Sequence, residues 1–371
     1  MAAALLEEFG RGDARAREES WRYSKTALRS LSQQKFVAAD AQAELPEALH
    51  AQFDWQQTRG RRVVVVNGAV SERYSDFADV GAMVTVGQTG GTYAVRIDGR
   101  IDEPVHVVYV SVPSAQPARW QASTSMTVVN GFAHMIEQHV GAEGAGMLGT
   151  AHRRIEVGEG ARLELVSLCD LPESVALYRL LDVYLGAKAS LAATHVLLGS
   201  RLQRLDMQVE LAGEQARLES RGVFALRGRE HADTQLDIRH VARDTACDVV
   251  WRGVADQRAR GIFHGAITVA AGADGSDARL SNKNLLLSPN AEIDTQPVLE
   301  IYADEVKAAH GAAVGQIDER ALFYLRSRGI PLDEARRMMV TAFCREVLEG
   351  VADTALRERL AQRMQAALPT E

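Results

Sequence analysis

The run Gly158-Glu159-Gly160-Ala161-Arg162-Leu163 returns as Gly186-Ala187-Lys188-Ala189-Ser190-Leu191 and again as Gly213-Glu214-Gln215-Ala216-Arg217-Leu218. Looser copies follow at Asp244-x-x-Cys247-x-Val249 and Gly275-x-x-Ala278-x-Leu280, with starts 28, 27, 31 and 31 residues apart. A turn residue, a small residue and an apolar residue at near-constant period are what a coiled β-solenoid needs. On this reading the Gly or Asp turns the corner, and the Ala or Cys fits a narrow interior. The Leu or Val then stacks on its equivalent one coil away. The period exceeds the span of a hairpin, so each coil holds two or more strands, whereas a β-sandwich turns about every 8–12 residues. The expected fold is mainly β: a parallel, right-handed β-helix over 93–315. A helical region with a β-hairpin (1–92) precedes it, and a helical domain (316–371) follows.

Composition narrows the function classes. The chain has 371 residues, 46% hydrophobic and 25% charged, the balance of a globular protein with a sizeable core. A net charge of −7 with interspersed signs argues against a nucleic-acid surface. No apolar run approaches the roughly 20 residues that cross a bilayer. The start, MAAALLEEFGRGDAR, lacks the basic leader of a signal peptide, so the expected compartment is the cytoplasm. Cys169, Cys247 and Cys344 are too far apart for a zinc or cluster motif and read as reduced core thiols. Neither GxGxxG after a strand nor GxxxxGK[ST] occurs, so a dinucleotide fold and a P-loop have no support.

Residues 3–60 read as helical. Leu5, Leu6 and Phe9 share one face, and Trp21, Leu28 and Leu31 form a second stripe. Val63 to Val66 followed by Asn67-Gly68 signals a hairpin, because Asn-Gly suits a primed two-residue turn. The ends of a β-helix carry unpaired backbone groups, and the terminal helices are expected to cover them. After Gln316, Asp318 caps one helix that ends at Gly329, and Pro331 opens the next. Leu322, Phe323 and Leu325 read as one apolar side. Ala335, Met338, Met339, Ala342, Phe343 and Val347 recur at helical spacing, either as a core face or as a surface for a partner protein.

One long segment is more specific. Asn282-x-Asn284-Leu-Leu-Leu-Ser288 leads to Asp294-Thr-x-Pro297-x-Leu299-Glu-Ile301, then Asp304-Glu-Val-Lys307-x-x-His310-Gly-Ala-x-Val-Gly315. With Arg252-Gly253, Gly261-Ile-Phe-x-Gly265 and Phe323-Tyr-Leu-x-Ser-Arg-Gly329, it resembles the SufB/SufD family. These are the core subunits of SUF iron–sulfur cluster assembly. The short chain and sparse cysteines suit the SufD type. The resemblance implies a non-catalytic scaffold that pairs with a SufB-type subunit and docks a SufC-type ATPase through its C-terminal helices. ATP would bind only to SufC, and sulfur would arrive by way of SufB. No cofactor would be held stably by this chain; a nascent cluster or iron would sit transiently at the SufB interface.

His310 is the metal candidate, read as a loop histidine beside Gly311. The family histidine lies at the SufB interface and is thought to join cluster building. Many SufD sequences have cysteine directly after the lysine, but Ala308 follows Lys307 here, so His310 would serve with ligands from the partner. Phe323, Tyr324, Leu325, Met338, Met339 and Phe343 are the partner-docking candidates. His134 is expected to point away from Glu137 and His139 on its strand. His231, Asp233, Asp237 and His240 read as solvated outer positions. Competing readings are a stand-alone β-helix enzyme acting on polysaccharides and a SufB-like or homodimeric scaffold.

Overall fold

A computed structural model of the chain describes residues 19–78, 84–89 and 92–368. The stripe expected at Leu5, Leu6 and Phe9 lies outside the described residues. From β5 (Thr92–Arg100) and β6 (Val105–Ser111) onward the chain winds as a two-sided parallel solenoid. The long strand β7 (Ala118–Gly141) belongs to both sides. Its first half pairs in parallel with β8 (Met147–Val157) and its second with β9 (Arg162–Leu171). Between the halves lies Gly131, at φ +76, where a Cβ would overlap the Gly99 carbonyl.

Each later coil is one strand per side. β8 leads to β10 (Val175–Leu185), β12 (Leu202–Leu211), β14 (His231–His240), β16 (Arg260–Val269) and β18 (Glu292–Ile301). On the other side β9 leads to β11 (Ser190–Gly199), β13 (Arg217–Leu226), β15 (Ala246–Ala255), β17 (Asp277–Leu286) and β19 (Lys307–Gly315). Coil pairing starts before residue 93, since β2 (Arg62–Val66) already lies parallel to β6. Asn67 (φ 45) and Gly68 (φ 90) turn β2 back into the short antiparallel β3 (Ala69–Val70).

The repeat is a real register with one slip. Leu163, Leu191 and Leu218 pair in one row, but the next partner is Cys247 and then Ala278, not Val249 and Leu280. The last two copies are therefore displaced by two positions. A two-residue shift leaves every side chain on its original face, so the interior pattern survives. The corner chemistry also differs from expectation. The left-handed residues are Gly160, Lys188 and Gln215, two places beyond the motif glycines. Gly158 and Gly213 are needed because stacked turns approach closely: a Cβ there would overlap the Val129 carbonyl or the Ala187 backbone.

The described helices lie against the sides of the solenoid, not over its ends. Trp21, with Leu28 and Leu31 of α1 (Lys25–Ser32), packs on Leu148, Ala176, Tyr178 and Leu202 of the β8–β12 side. The opposite side, through Val166, Val196, Val223 and Val254, is covered by the C-terminal helices. Between residues 33 and 60, where helix is also expected, the α-helix is confined to α2 (Glu47–Phe53). Val37-Ala38 instead forms a short strand, β1, beside Ala118-Arg119, and Pro46 sets where α2 begins.

The side packing overturns the solvated reading of three residues on β14. His231 and Asp233 are buried under the N-terminal segment, where Ser24 Oγ lies 3.0 Å from His231 Nε2. Arg204 reaches Asp233 at 2.7 Å and lies over the Trp21 ring. His240 faces inward, 2.8 Å from Thr245 and 3.2 Å from Cys247. Asp237 alone is exposed.

Burial, chiefly, pushes seven histidines down: His106 and His195 to about 3, His139, His231 and His240 to about 4, and His134 and His264 below their usual value. An unfolded histidine takes its proton near 6.5. Between those values the unfolded chain binds more protons than the folded one, so stability falls as pH drops below about 6.5. Each group contributes up to about 1.4 kcal/mol per pH unit within its window. Thermal melts from pH 8 to pH 4.5 are expected to be flat above pH 7 and to fall steeply below pH 6.

Candidate functional site at the open end of the solenoid

The interior rows end on β19. One runs Met135, Leu165, Ala193, Ser220, Val249, Leu280 and finishes at His310. Histidine thus takes an inward-facing place in an otherwise small or apolar row, but no further coil covers it. His310 is exposed, as is every residue of β19. It lies on a strand and not in a loop, because pairing with β17 carries Ala308 to Gly315 into extended backbone despite their weak β preference. Among the described residues β19 pairs only with β17 and β18 only with β16, so both present free edges. Ile301, Tyr302 and Val314 add exposed apolar surface there.

Beneath this end lies a polar floor. Asn282 and Asn284 are buried, and each occupies an inward row of β17. Asn282 Nδ2 donates to the Trp251 carbonyl at 3.3 Å, and its Oδ1 accepts from Thr295 at 2.8 Å. Asn284 donates to Asn282 and to the Ala313 carbonyl of the last strand. Both asparagines belong to the Asn282-x-Asn284 motif, whose two-residue spacing puts them on one face of a strand but does not reveal these bonds.

No thiolate stands nearby. Cys247 shares the row of Ala278 and Ala308, which puts it two coils, about 10 Å, below the open end. All three cysteines are buried, and burial pushes each thiol up to about 12. No three His, Cys, Asp or Glu side chains among the described residues are grouped to hold a metal. His134 faces away from Glu137 and His139, which sit inside the solenoid 2.9 Å apart.

The C-terminal helices α3 (Glu319–Ser327), α4 (Leu332–Arg345) and α5 (Thr354–Ala367) follow β19 directly. Asp318 caps α3 by accepting from the Arg320 amide, and Gly329 leaves it at φ 86. The helices are seated through Ala335, Val340, Cys344, Val347 and Leu348. Most of the apolar positions proposed for docking lie elsewhere. Phe323, Tyr324 and Met338 are exposed, whereas Leu325, Met339 and Phe343 are half-buried, with Phe343 against the seated face. Leu322 is buried, so it does not share a side with Phe323.

Arg252 fixes this domain to the solenoid. Its buried guanidinium donates from Nε and Nη2 to the two Glu346 oxygens at 2.9 and 2.8 Å. Nη1 donates to the Trp251 carbonyl. The bond from Arg252 holds the Glu346 carboxyl below its usual range. Gly253 beside it leaves room for Phe224, since a Cβ would overlap that ring and Asn284.

The described residues form a parallel β-solenoid with helices along both sides and a last coil that pairs on one side only. The family described as "SUF system FeS cluster assembly, SufBD core domain" matches residues 122–343. The chain belongs to this SufBD family. It is 35% identical to the iron–sulfur cluster assembly protein SufD of Escherichia coli over 51% of this chain and 44% of that protein. A SufBD family protein of Synechocystis is 25% identical over 93% of this chain and 85% of its own length. One from Mycobacterium tuberculosis is 32% identical over 55% and 53%. The chain thus spans about half the length of the Escherichia coli and mycobacterial relatives. No helix among the described residues is long and apolar enough to cross a membrane.

Replacing Glu346 with Ala strips the buried Arg252 of its carboxylate. The expected loss is about 1–2 kcal/mol, tempered by the half-exposed position of Glu346. Hydrogen exchange is expected to rise over α3 to α5 and hardly in β8–β14. Gly253→Ala is expected to cost about 1–3 kcal/mol through overpacking against Phe224, read as a lower Tm.

Proposed function

We propose that this chain is the SufD-type scaffold of a SUF assembly. It pairs through its last coil with a SufB-type subunit, and the uncovered imidazole of His310 supplies half of a nascent-cluster site. The exposed face around Phe323, Tyr324 and Met338, bordered by Leu325, Met339 and Phe343, receives a SufC-type ATPase. The observation that carries this reading is an inward-facing row that finishes on an uncovered histidine between free strand edges. An imidazole is a competent iron ligand, but one imidazole does not retain iron, so the partner must bring the remaining ligands. Free edges favour strand-to-strand association. The similarity to a relative named SufD supports the SufD type over SufB.

The test is co-expression with the SufB-type and SufC-type proteins of the same source, followed by reconstitution with iron and sulfide. A stable three-component complex is expected. His310→Ala is expected to keep the complex while slowing cluster formation several-fold. A three-component complex that matures clusters at the same rate without the imidazole removes His310 from the site. If the chain forms only a homodimer by light scattering, its last coil pairs with its own copy.

A further inference from the structure

The solenoid interior contains a charged group far from the open end. Glu137 is buried on β7, and burial, which favours its neutral form, is outweighed by Arg153, His139 and Arg179, so it is held well below the usual carboxylate range. Arg153 is fully engaged. It meets Glu137 at 2.6 Å, Tyr109 at 2.8 Å and Thr124 at 3.1 Å. Arg179 is not. Its Nη1 reaches Ser167 at 2.8 Å and Glu137 at 3.5 Å, while Nε and Nη2 are buried with no hydrogen-bond partner. His195, 1% exposed and stacked on Trp251, also has both ring nitrogens unpartnered. Between these groups lies a small cavity of about 10 Å³, lined by Tyr109, Glu137, Arg153, Arg179 and His195, room for one guest of about water size.

Charge separates the two kinds of guest. Two guanidinium groups face one carboxylate, leaving an excess of one positive charge. The neighbouring groups do not offset it: burial pushes the Tyr109 hydroxyl up and the Cys169 thiol up to about 12, and it keeps His139 and His195 neutral. A buried unpaired charge costs several kcal/mol. Water would engage the idle nitrogens but leave the charge.

We propose that this cavity is a binding site for one small monovalent anion of the halide type, held by Arg179 Nε and Nη2 and an N–H of His195. The anion supplies both the missing acceptor and the missing counter-charge. It is a structural ligand of the solenoid, independent of the partner and of any cluster.

Bromide is the probe. Diffraction from crystals of the full chain in bromide, recorded at the bromine edge, is expected to show one anomalous peak between Arg179 and His195. In solution, replacing gluconate by bromide at constant ionic strength is expected to raise the Tm of the wild type. Arg179→Met removes the excess charge and is expected to lose both the peak and the shift. Peaks confined to the outer surface, together with an unchanged wild-type Tm, overturn the proposal and leave water as the guest. Should Arg179→Met fail to fold, the two wild-type measurements decide.

Discussion

Everything in this molecule depends on each strand finding its hydrogen-bond partner one coil away and in parallel. Backbone donors on one coil are satisfied by the next, and side chains inherit the same alternation at every step. The row Ile155, Val183, Val209, Ile238, Ile267, Leu299 shows the result, an unbroken aliphatic stack through six coils. Each fully buried member contributes about 1.5–3 kcal/mol. The same rule leaves the last coil wanting. Whatever stabilises coil n is coil n+1, and β19 has none among the described residues.

A narrow interior makes large side chains a problem for neighbours as well as for themselves. Trp251 stands directly after Gly222 in its row, and Phe224 directly before Gly253. A Cβ on Gly222 would overlap the indole, and one on Gly253 or Gly261 would overlap the phenyl ring. The ring in one coil occupies volume that the adjacent coil must vacate, as close packing demands. This gives a physical reason for several glycines in the segment that carries the family resemblance.

Much of this was legible in the chain. Turn, small and apolar residues at a 27–31 residue period revealed the solenoid, and alternation within β7 correctly separated His134 from Glu137. The slip at Asp244 was hidden because a two-residue shift preserves the apolar pattern. His310 was misplaced in a loop because Ala and Gly have little β preference, and only β17 makes that stretch a strand. Amphipathic stripes marked which helices bury a face but not against what. Hence the expectation of capped ends, where the described helices cover sides. Nor did the spacing of His231 and Asp233 reveal the cover over them, which comes from Ser24 and Trp21, far away in sequence.

The two ends of the solenoid are chemically unlike. At the start, β2 turns back into β3, and β5 pairs with the antiparallel β4 (Val84–Thr89). At the finish, β18 and β19 stop in mid-pattern. A rod with two adhesive ends would add copies without limit, as open head-to-tail contacts do. With one adhesive end its valence would be one, and the pairing proposed above would close after a single encounter.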